Sequence, residues 1–486
     1  LGIPVTFSSD PRHHFGDNPL TQMMAGPFSL WPEPLGLAAI GSADRVREFA
    51  DIVRQEYLAV GIRVALHPQL DVATEPRWSR INTTFGEDAE LTSRLGVAYV
   101  DGLQGARLGA DSVAAMVKHF PGGGPQLDGN DPHFGWGREQ VYPGDNAAYH
   151  LAPFRAALDA GAVEVMPYYG MPVGTDWDEV GFGFNKSVIT GLLRDELGFD
   201  GIVCTDWGLV SDHPDLGDLG VARAWGVERL GPADRALRVI EAGADQFGGE
   251  DCTEVLLGLV RDGRVSESRI DESVRRLLRV TFTLGLFEHP FVDEEAASIT
   301  LGRSDFRDAG LAAQRDSLTL LTNTGLLPLA RGAKVFAPQI SAAALEGHAT
   351  RVDDPAAADV AVLRIKAPYE PRTEGMAALF HHGSLEFAAE EVRRILEVCA
   401  AVPTVIDVYL DRPAVLTPFA GAAAALIANF GVSERALLAV LFGAAEPRGT
   451  LPFDLPRSDA AVAASRTDVA FDTADPLFRF GHGLRY

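Results

Sequence analysis

An acidic residue directly after an apolar run is the first feature of the sequence that could do chemistry. Asp206 lies near the end of the segment GFDGIVCTDWG and is followed by Trp207 and Gly208. At the carboxyl end of a buried strand, such a carboxylate can attack an anomeric carbon while the indole packs against the sugar ring. An aspartate that caps the next helix is the competing interpretation. Asp206 is therefore a candidate nucleophile.

Two other segments carry groups suited to polar ligands. KHFPGGGPQ places Lys118 and His119 side by side before a glycine-rich turn, which allows a backbone to approach a ligand closely. EPRWSR supplies Arg77 and Arg80, which are suited to hydroxyl contacts. A salt-bridged lysine, or arginines that merely hold a loop, would give the same patterns. A P-loop is excluded because no helix with Lys-Ser/Thr in the required spacing follows the glycines.

Two loops offer a general acid/base. In LDGNDPHFGWG, Asp131 precedes His133 by two residues, and an aspartate that orients an imidazole makes such a pair. In IKAPYEPRTEG, Glu370 follows Tyr369 in a loop after an apolar run. A surface turn and a solvent-exposed glutamate are the competing interpretations.

These polar residues follow a regular pattern of elements. Up to about residue 290, apolar runs alternate with amphipathic stretches, which is typical of βαβ units. The predicted strands are IPVTFS, IRVALHP, AAMVKHF, AVEVMPYY, GIVCTDW and ADQFGG. At or just beyond their carboxyl ends lie Asp10, Asp71, Lys118, His119, Tyr168, Tyr169, Asp206 and Gln246. A (β/α) barrel keeps its active site at that end of its strands.

A second α/β set follows a connector. The sequence predicts a TIM-like (β/α) barrel domain over residues 1–290, a linker over 291–309 and an α/β sandwich over 310–486. The sandwich is expected to have an open, mainly parallel sheet and to complete the active site. Its predicted strands are SLTLLTN, KVFAP, DVAVLRI, TVIDVYL and AALIANF.

Composition limits the partners. With 42 Lys and Arg against 67 Asp and Glu, the net charge is -25, which disfavours nucleic acid. No apolar run is long enough to span a membrane, so a soluble protein is expected. The three cysteines form no pair of the C-x-x-C kind, which argues against a disulfide framework or structural zinc. No metal or cofactor is required. The start at LGIPVTF lacks Met, so cytoplasmic or secreted location stays open, as does oligomeric state, with a homodimer among the options.

Taken together, these motifs resemble glycoside hydrolase family 3 along the whole chain. LGIPVTFSSDPRH, EPRWSR, KHFPGGG, GFDGIVCTDW, GTLPFDLPRS and FRFGHGLRY occur in the order of the family. The resemblance implies that Asp206 is the nucleophile of a retaining, exo-acting β-glycosidase of β-glucosidase type, whose substrate is an oligosaccharide or β-glycoside. It implies sugar contacts from Asp10, Arg80, Lys118, His119, Met166, Tyr169 and Trp207.

The sequence departs from the family in two places. The barrel of the family begins with a strand upstream of LGIP, so the first barrel strand is expected to be missing here. The usual acid/base glutamate stands in a Gly-Glu context, where this sequence has Ile365 and Lys366. The acid/base is then Glu370 or, as in the similar loop of β-N-acetylhexosaminidases, His133 oriented by Asp131. A β-N-acetylhexosaminidase, a glycoside phosphorylase and a non-catalytic carbohydrate-binding protein are the alternative functions.

Overall fold

Two separate six-stranded sheets organise the chain. The structure is a computed structural model that describes residues 2–16, 18–213, 215, 217, 220–373 and 375–486. The strands are β1 (Phe7–Ser9), β2 (Ile62–Ala65), β3 (Ala114–Phe120), β4 (Glu139–Val141), β5 (Glu164–Pro167), β6 (Met171–Val173), β7 (Ile202–Trp207), β8 (Gln246–Gly248), β9 (Thr319–Asn323), β10 (Lys334–Phe336), β11 (Thr350–Val352), β12 (Val360–Lys366), β13 (Thr404–Tyr409) and β14 (Ala425–Asn429).

Helices connect these strands. They are α1 (Pro34–Ile40), α2 (Ala43–Ala59), α3 (Ala89–Gln104), α4 (Ala147–Asp159), a π-helix (Ser187–Glu196), α5 (Pro232–Ala242), α6 (Thr253–Arg261), α7 (Glu267–Thr283), α8 (Glu294–Thr300), α9 (Ser304–Ser317), α10 (Ala342–Leu345), α11 (Ala389–Ala401), α12 (Thr417–Ala420), α13 (Glu434–Leu441) and α14 (Asp459–Ala463). Helix α2 begins where the sequence predicts, because the Ser42 hydroxyl accepts a hydrogen bond from the Arg45 amide. Within the described ranges, no helix is both long and apolar enough to cross a bilayer.

The first sheet is parallel, with the order β1-β2-β3-β5-β7-β8. It curls into a half-barrel, so the carboxyl ends of its strands surround one opening. Helices cover these strands, which is why the whole of β3 is buried and reads as one apolar run before Lys118. All of the strands predicted for this sheet are present, but Gln246, which was expected at a carboxyl end, is the first residue of β8.

The second sheet has the order β11-β10-β12-β13-β14-β9, in which only β9 is antiparallel. The expected barrel-like and sandwich fold classes are confirmed. Strand β11 was not predicted, because its three residues, Thr350–Val352, carry little apolar pattern. The domain bounds at residues 290 and 310 stay a prediction.

Buried polar contacts hold the two α/β units together. The Gln314 side chain on α9 donates to the Leu30 carbonyl at 3.0 Å and accepts from the Ser433 amide at 3.0 Å. The Thr74 hydroxyl donates to the Thr467 carbonyl at 2.6 Å. The carboxyl-terminal segment therefore lies against the first unit, close to the opening of the half-barrel.

Candidate active site

A cavity of about 350 Å³ lies at the carboxyl ends of the first sheet. Most of the residues predicted for the site line it together, although they come from different strands and loops. These are Asp10, Arg80, Lys118, His119, His133, Met166, Tyr169, Asp206 and Trp207. The half-barrel brings them together because parallel strands present their carboxyl ends at one edge.

Asp206 lies on β7 with its carboxylate at the cavity wall. Its Oδ1 accepts a hydrogen bond from the Trp207 amide at 2.8 Å, and its Oδ2 lies 3.8 Å from His119 Nε2. The Tyr169 hydroxyl donates to the Trp207 carbonyl at 2.7 Å. Burial and the Asp206 carboxylate raise the pKa of Tyr169 well above its ordinary value, so this hydroxyl stays protonated. With 39% of its surface exposed, the Trp207 indole is open to a sugar ring.

A buried carboxylate fixes the His119 ring. Asp71 Oδ2 pairs with His119 Nδ1 at 2.8 Å, while its Oδ1 accepts from the backbone amides of His119 and Gly123. Burial and the Arg80 charge lower the pKa of His119 well below its ordinary value, so the ring is neutral. With Nδ1 donating to Asp71, His119 Nε2 presents a lone pair that can accept from a sugar hydroxyl.

The dependence of kcat/KM on pH should report the pairing of Asp71 with His119. Burial raises the pKa of Asp71 to about 6, so its carboxylate is lost as the pH falls through 6 and His119 loses its acceptor. In Asp71→Asn, we expect kcat/KM to fall about 10- to 100-fold, the equivalent of one charge-assisted hydrogen bond. The acid limb should also move to lower pH because asparagine does not titrate. A profile that keeps its limb near pH 6 would contradict this role, and the melting temperature controls for misfolding.

Two buried cationic side chains, Lys118 and Arg80, complete the polar lining of the cavity, called the polar wall below. Lys118 Nζ donates to Asp10 Oδ1 at 2.6 Å, and Arg80 donates to Gln69 at 3.0 Å. Lys118 and Arg80 are almost fully buried, so little reorientation is needed when a ligand enters. The Asp10 carboxylate is an acceptor that lies beside the Lys118 donor. Such a pair matches adjacent sugar hydroxyls, each of which can both donate and accept.

His133 faces the same cavity. Its Nδ1 pairs with Asp131 Oδ1 at 2.6 Å, and its ring packs against Tyr169 with 4.8 Å between ring centroids. Burial alone would raise the pKa of Asp131, but the His133 imidazole and the Arg80 charge outweigh it and hold that pKa below its ordinary value. Asp131 is thus an anion that orients His133 from behind and does not itself line the cavity.

The structure does not bring Glu370 to this cavity. Its side chain is exposed, and its Oε1 accepts from the Ser384 amide at 3.3 Å. The loop that carries it, residues 367–384, nevertheless lies against the His133 loop, because the Phe380 ring packs on His133 with 5.0 Å between centroids. The prediction that Glu370 acts opposite Asp206 therefore has no support from the contacts of the described residues.

One buried arginine holds the 367–384 loop in place. The Arg412 guanidinium donates to the carbonyls of Arg77 in the first unit and of Pro368, His382, Gly383 and Ser384 in the loop. Burial lowers its pKa to about 10, so it remains charged near neutral pH. Arg412 thus joins the loop to the first unit through hydrogen bonds, alongside the packing of Phe380 on His133.

Loss of this side chain should be costly. In Arg412→Met, we expect the free energy of unfolding to fall by about 3 kcal/mol or more, because several buried carbonyls lose a charged donor. Thermal unfolding measures the effect, and Arg393→Met, on the exposed face of α11, is the matched control. Equal melting temperatures for the two variants would contradict the role given to Arg412.

Sequence reasoning missed Arg223 and His213, which also line the cavity. Arg223 Nε donates to the His133 carbonyl at 3.3 Å, so it supports the His133 loop from the far side. Both residues lie in a long segment after β7 without periodic apolar residues. The only sequence feature that could have indicated them is the cationic Arg223 two residues before Trp225, and such a pattern is too common to mark a site.

Comparison with known proteins identifies the family. The model of the glycosyl hydrolase family 3 N terminal domain matches residues 1–280, and that of the C-terminal domain matches residues 335–486. The chain belongs to glycoside hydrolase family 3. The expectation of a glycoside hydrolase is thereby confirmed, and the family consists of retaining enzymes.

Relatives within family 3 cover the whole chain. It is 52% identical over 492 residues to β-glucosidase C of Emericella nidulans, an alignment that covers 100% of this chain and 80% of that protein. It is 43% identical over 505 residues to a periplasmic β-glucosidase/β-xylosidase of Dickeya chrysanthemi, covering 100% and 77%. The crystal structure of a β-glucosidase from Listeria innocua with isofagomine has a TM-score of 0.81 at 24% identity, covering 100% and 73%, and shares the fold.

Proposed function

We propose that this family 3 enzyme is an exo-acting β-glucosidase that releases a terminal glucose through a covalent glycosyl-enzyme on Asp206. The observation that carries the proposal is the Asp206 carboxylate at the wall of a small cavity lined by Asp10, Lys118, His119 and Trp207. A cavity of about 350 Å³ fits one sugar residue, which favours exo action. Relatives named β-glucosidase support glucose as that sugar.

The reaction proceeds in two steps. Asp206 attacks the anomeric carbon, the glycosidic bond breaks, and the general acid gives its proton to the leaving oxygen. The same group then takes a proton from water, which displaces Asp206 and restores the original anomeric configuration. The polar wall holds the hydroxyls throughout, and the exposed face of Trp207 packs on the ring.

We assign the general acid to His133. It lines the same cavity as Asp206, and the Asp131 carboxylate pairs with its Nδ1 and so orients the imidazole for proton transfer. Glu370 bonds to the Ser384 amide instead. The relatives do not favour a β-N-acetylhexosaminidase or a phosphorylase, so an Asp-His pair would here serve glucoside hydrolysis.

Substrate preference tests this function. We expect turnover of aryl β-glucosides that is independent of phosphate, with β-xylosides slower and N-acetylglucosaminides resistant. A phosphate-dependent rate that yields glucose 1-phosphate would replace the proposal by a phosphorylase. Tight oligosaccharide binding without turnover of any aryl glycoside would replace it by a binding role.

A further inference from the structure

A second cavity, of about 450 Å³, lies between the two α/β units. Its wall on the second unit includes Arg364 and Lys366 on β12 and Asp411 after β13. Its wall on the first unit includes Gln22 and Asn82. It is larger than the cavity of Asp206 and shares no lining residue with it.

The cavity lies where the topology of the second sheet changes direction. From β10 the chain moves to β11 on one side, whereas β12, β13 and β14 succeed one another on the other side. Ligands of open α/β sheets bind in the crevice outside the carboxyl ends of the strands at such a switch point. Gln339 follows β10 and Lys366 ends β12, and both line the cavity.

Polar atoms in this cavity are left unsatisfied. Asp411 Oδ1 is buried without a hydrogen-bond partner among the described residues, while its Oδ2 pairs with His381. The Gln22 side chain is 1% exposed and lies beside the Glu33 carboxyl, and in the part of the chain that the structure describes its amide atoms are buried without a close hydrogen-bond partner. Buried polar groups are nearly always paired, so these atoms call for ligand hydroxyls or water.

The charge balance of the cavity points to an acid. Arg364 donates to Asp407 at 2.8 Å, and Asn429 donates to the other oxygen of that carboxylate at 2.8 Å, so this pair is internally satisfied. The Asp411 carboxylate faces His381. The Lys366 ammonium has no ion-pair partner among the described residues that line this cavity and is open to a ligand.

We propose that the interdomain cavity binds a polyhydroxy carboxylate, such as a sugar acid, separately from the cavity that holds Asp206. Lys366 takes the carboxylate, and Asp411 and Gln22 take hydroxyls. The ligand is either a free sugar acid or the acidic end unit of an oligosaccharide. Because its contacts come from both units, its binding also stabilises their interface.

Isothermal titration of the full chain with glucuronate, gluconate, glucose and acetate tests the site. We expect glucuronate and gluconate to bind at least tenfold more tightly than glucose or acetate, since neither control carries both groups. In Lys366→Met, the Kd for glucuronate should rise about tenfold, which corresponds to about 1.4 kcal/mol. Lys334→Met is the matched control, because Lys334 is exposed at the amino end of β10 in the same sheet.

Asp411→Asn is the second variant and should weaken glucuronate without affecting acetate. A glucuronate-ended disaccharide that binds more tightly than free glucuronate identifies an oligosaccharide as the source, and equal affinities identify the free acid. No binding, or equal losses in Lys366→Met and Lys334→Met, would overturn the proposal. The proposal would also be overturned if Asp206→Asn lost as much affinity for glucuronate as Lys366→Met, since the ligand would then occupy the cavity of Asp206. The titration measures binding and needs no turnover. It therefore remains a valid test even if the protein does not hydrolyse aryl glucosides.

Discussion

Replacing Asp206 by Asn is expected to lower kcat/KM for aryl β-glucosides by at least about 10³-fold, or about 4 kcal/mol of transition-state stabilisation. The amide has nearly the same shape but cannot form a stable ester with the anomeric carbon. Its packing between Trp207 and His119 should be kept, so the melting temperature should stay close to that of the wild type. Steady-state kinetics and thermal unfolding measure the two effects.

Two experiments separate a nucleophile from a merely important carboxylate. A 2-deoxy-2-fluoro-glucosyl inhibitor should label Asp206, as peptide mass analysis would show. Asp206→Gly with added azide should regain activity and give the α-glucosyl azide, because azide then attacks from the vacated face. Asp262→Asn, at an exposed helix end, is the matched control and should behave as the wild type. A label on another residue, or residual activity within tenfold of the wild type, would remove Asp206 from this role.

His133→Ala is expected to give the second-largest loss, and one that depends on the leaving group. On alkyl β-glucosides, whose leaving oxygen needs a proton, kcat/KM should fall about 10²- to 10⁴-fold. On 2,4-dinitrophenyl glucoside the first step needs no proton, so release of dinitrophenol should stay nearly normal in the first turnover. The measurement is kcat/KM as a function of the pKa of the leaving group. We expect a steep dependence in His133→Ala that is absent in the wild type.

Carboxylate variants in the 367–384 loop provide the comparison. Glu370→Ala should remain close to the wild type on both substrates, because its carboxylate is bonded to the Ser384 amide outside the cavity. Glu374, the other carboxylate of this loop in the sequence, belongs in the same series as Glu374→Ala. If either glutamate variant shows the leaving-group dependence and is rescued by azide, while His133→Ala does not, the proton donor comes from this loop and the assignment to His133 is wrong.

Local sequence pattern was sufficient for the strands of the first sheet and, Gln246 apart, for the residues at their carboxyl ends. The run before Lys118 is apolar because β3 is covered on both faces, and the same holds for β7 before Asp206. Once the strands were known to be parallel, Lys118 and Asp206 had to share one edge. Short strands with little apolar content, such as β11, carry no such pattern and were missed.

Loop residues depended on contacts far along the chain. His133 and Glu370 were equal candidates in the sequence, and only packing separates them: Tyr169 and Phe380 hold His133 at the cavity, while the Ser384 amide holds Glu370 elsewhere. The sequence by itself determined the family and the position of Asp206 near the carboxyl end of a strand, because these follow from local periodicity and motif order. The tertiary structure decided how loops from two units meet, because a loop side chain is directed by long-range packing that no local pattern encodes.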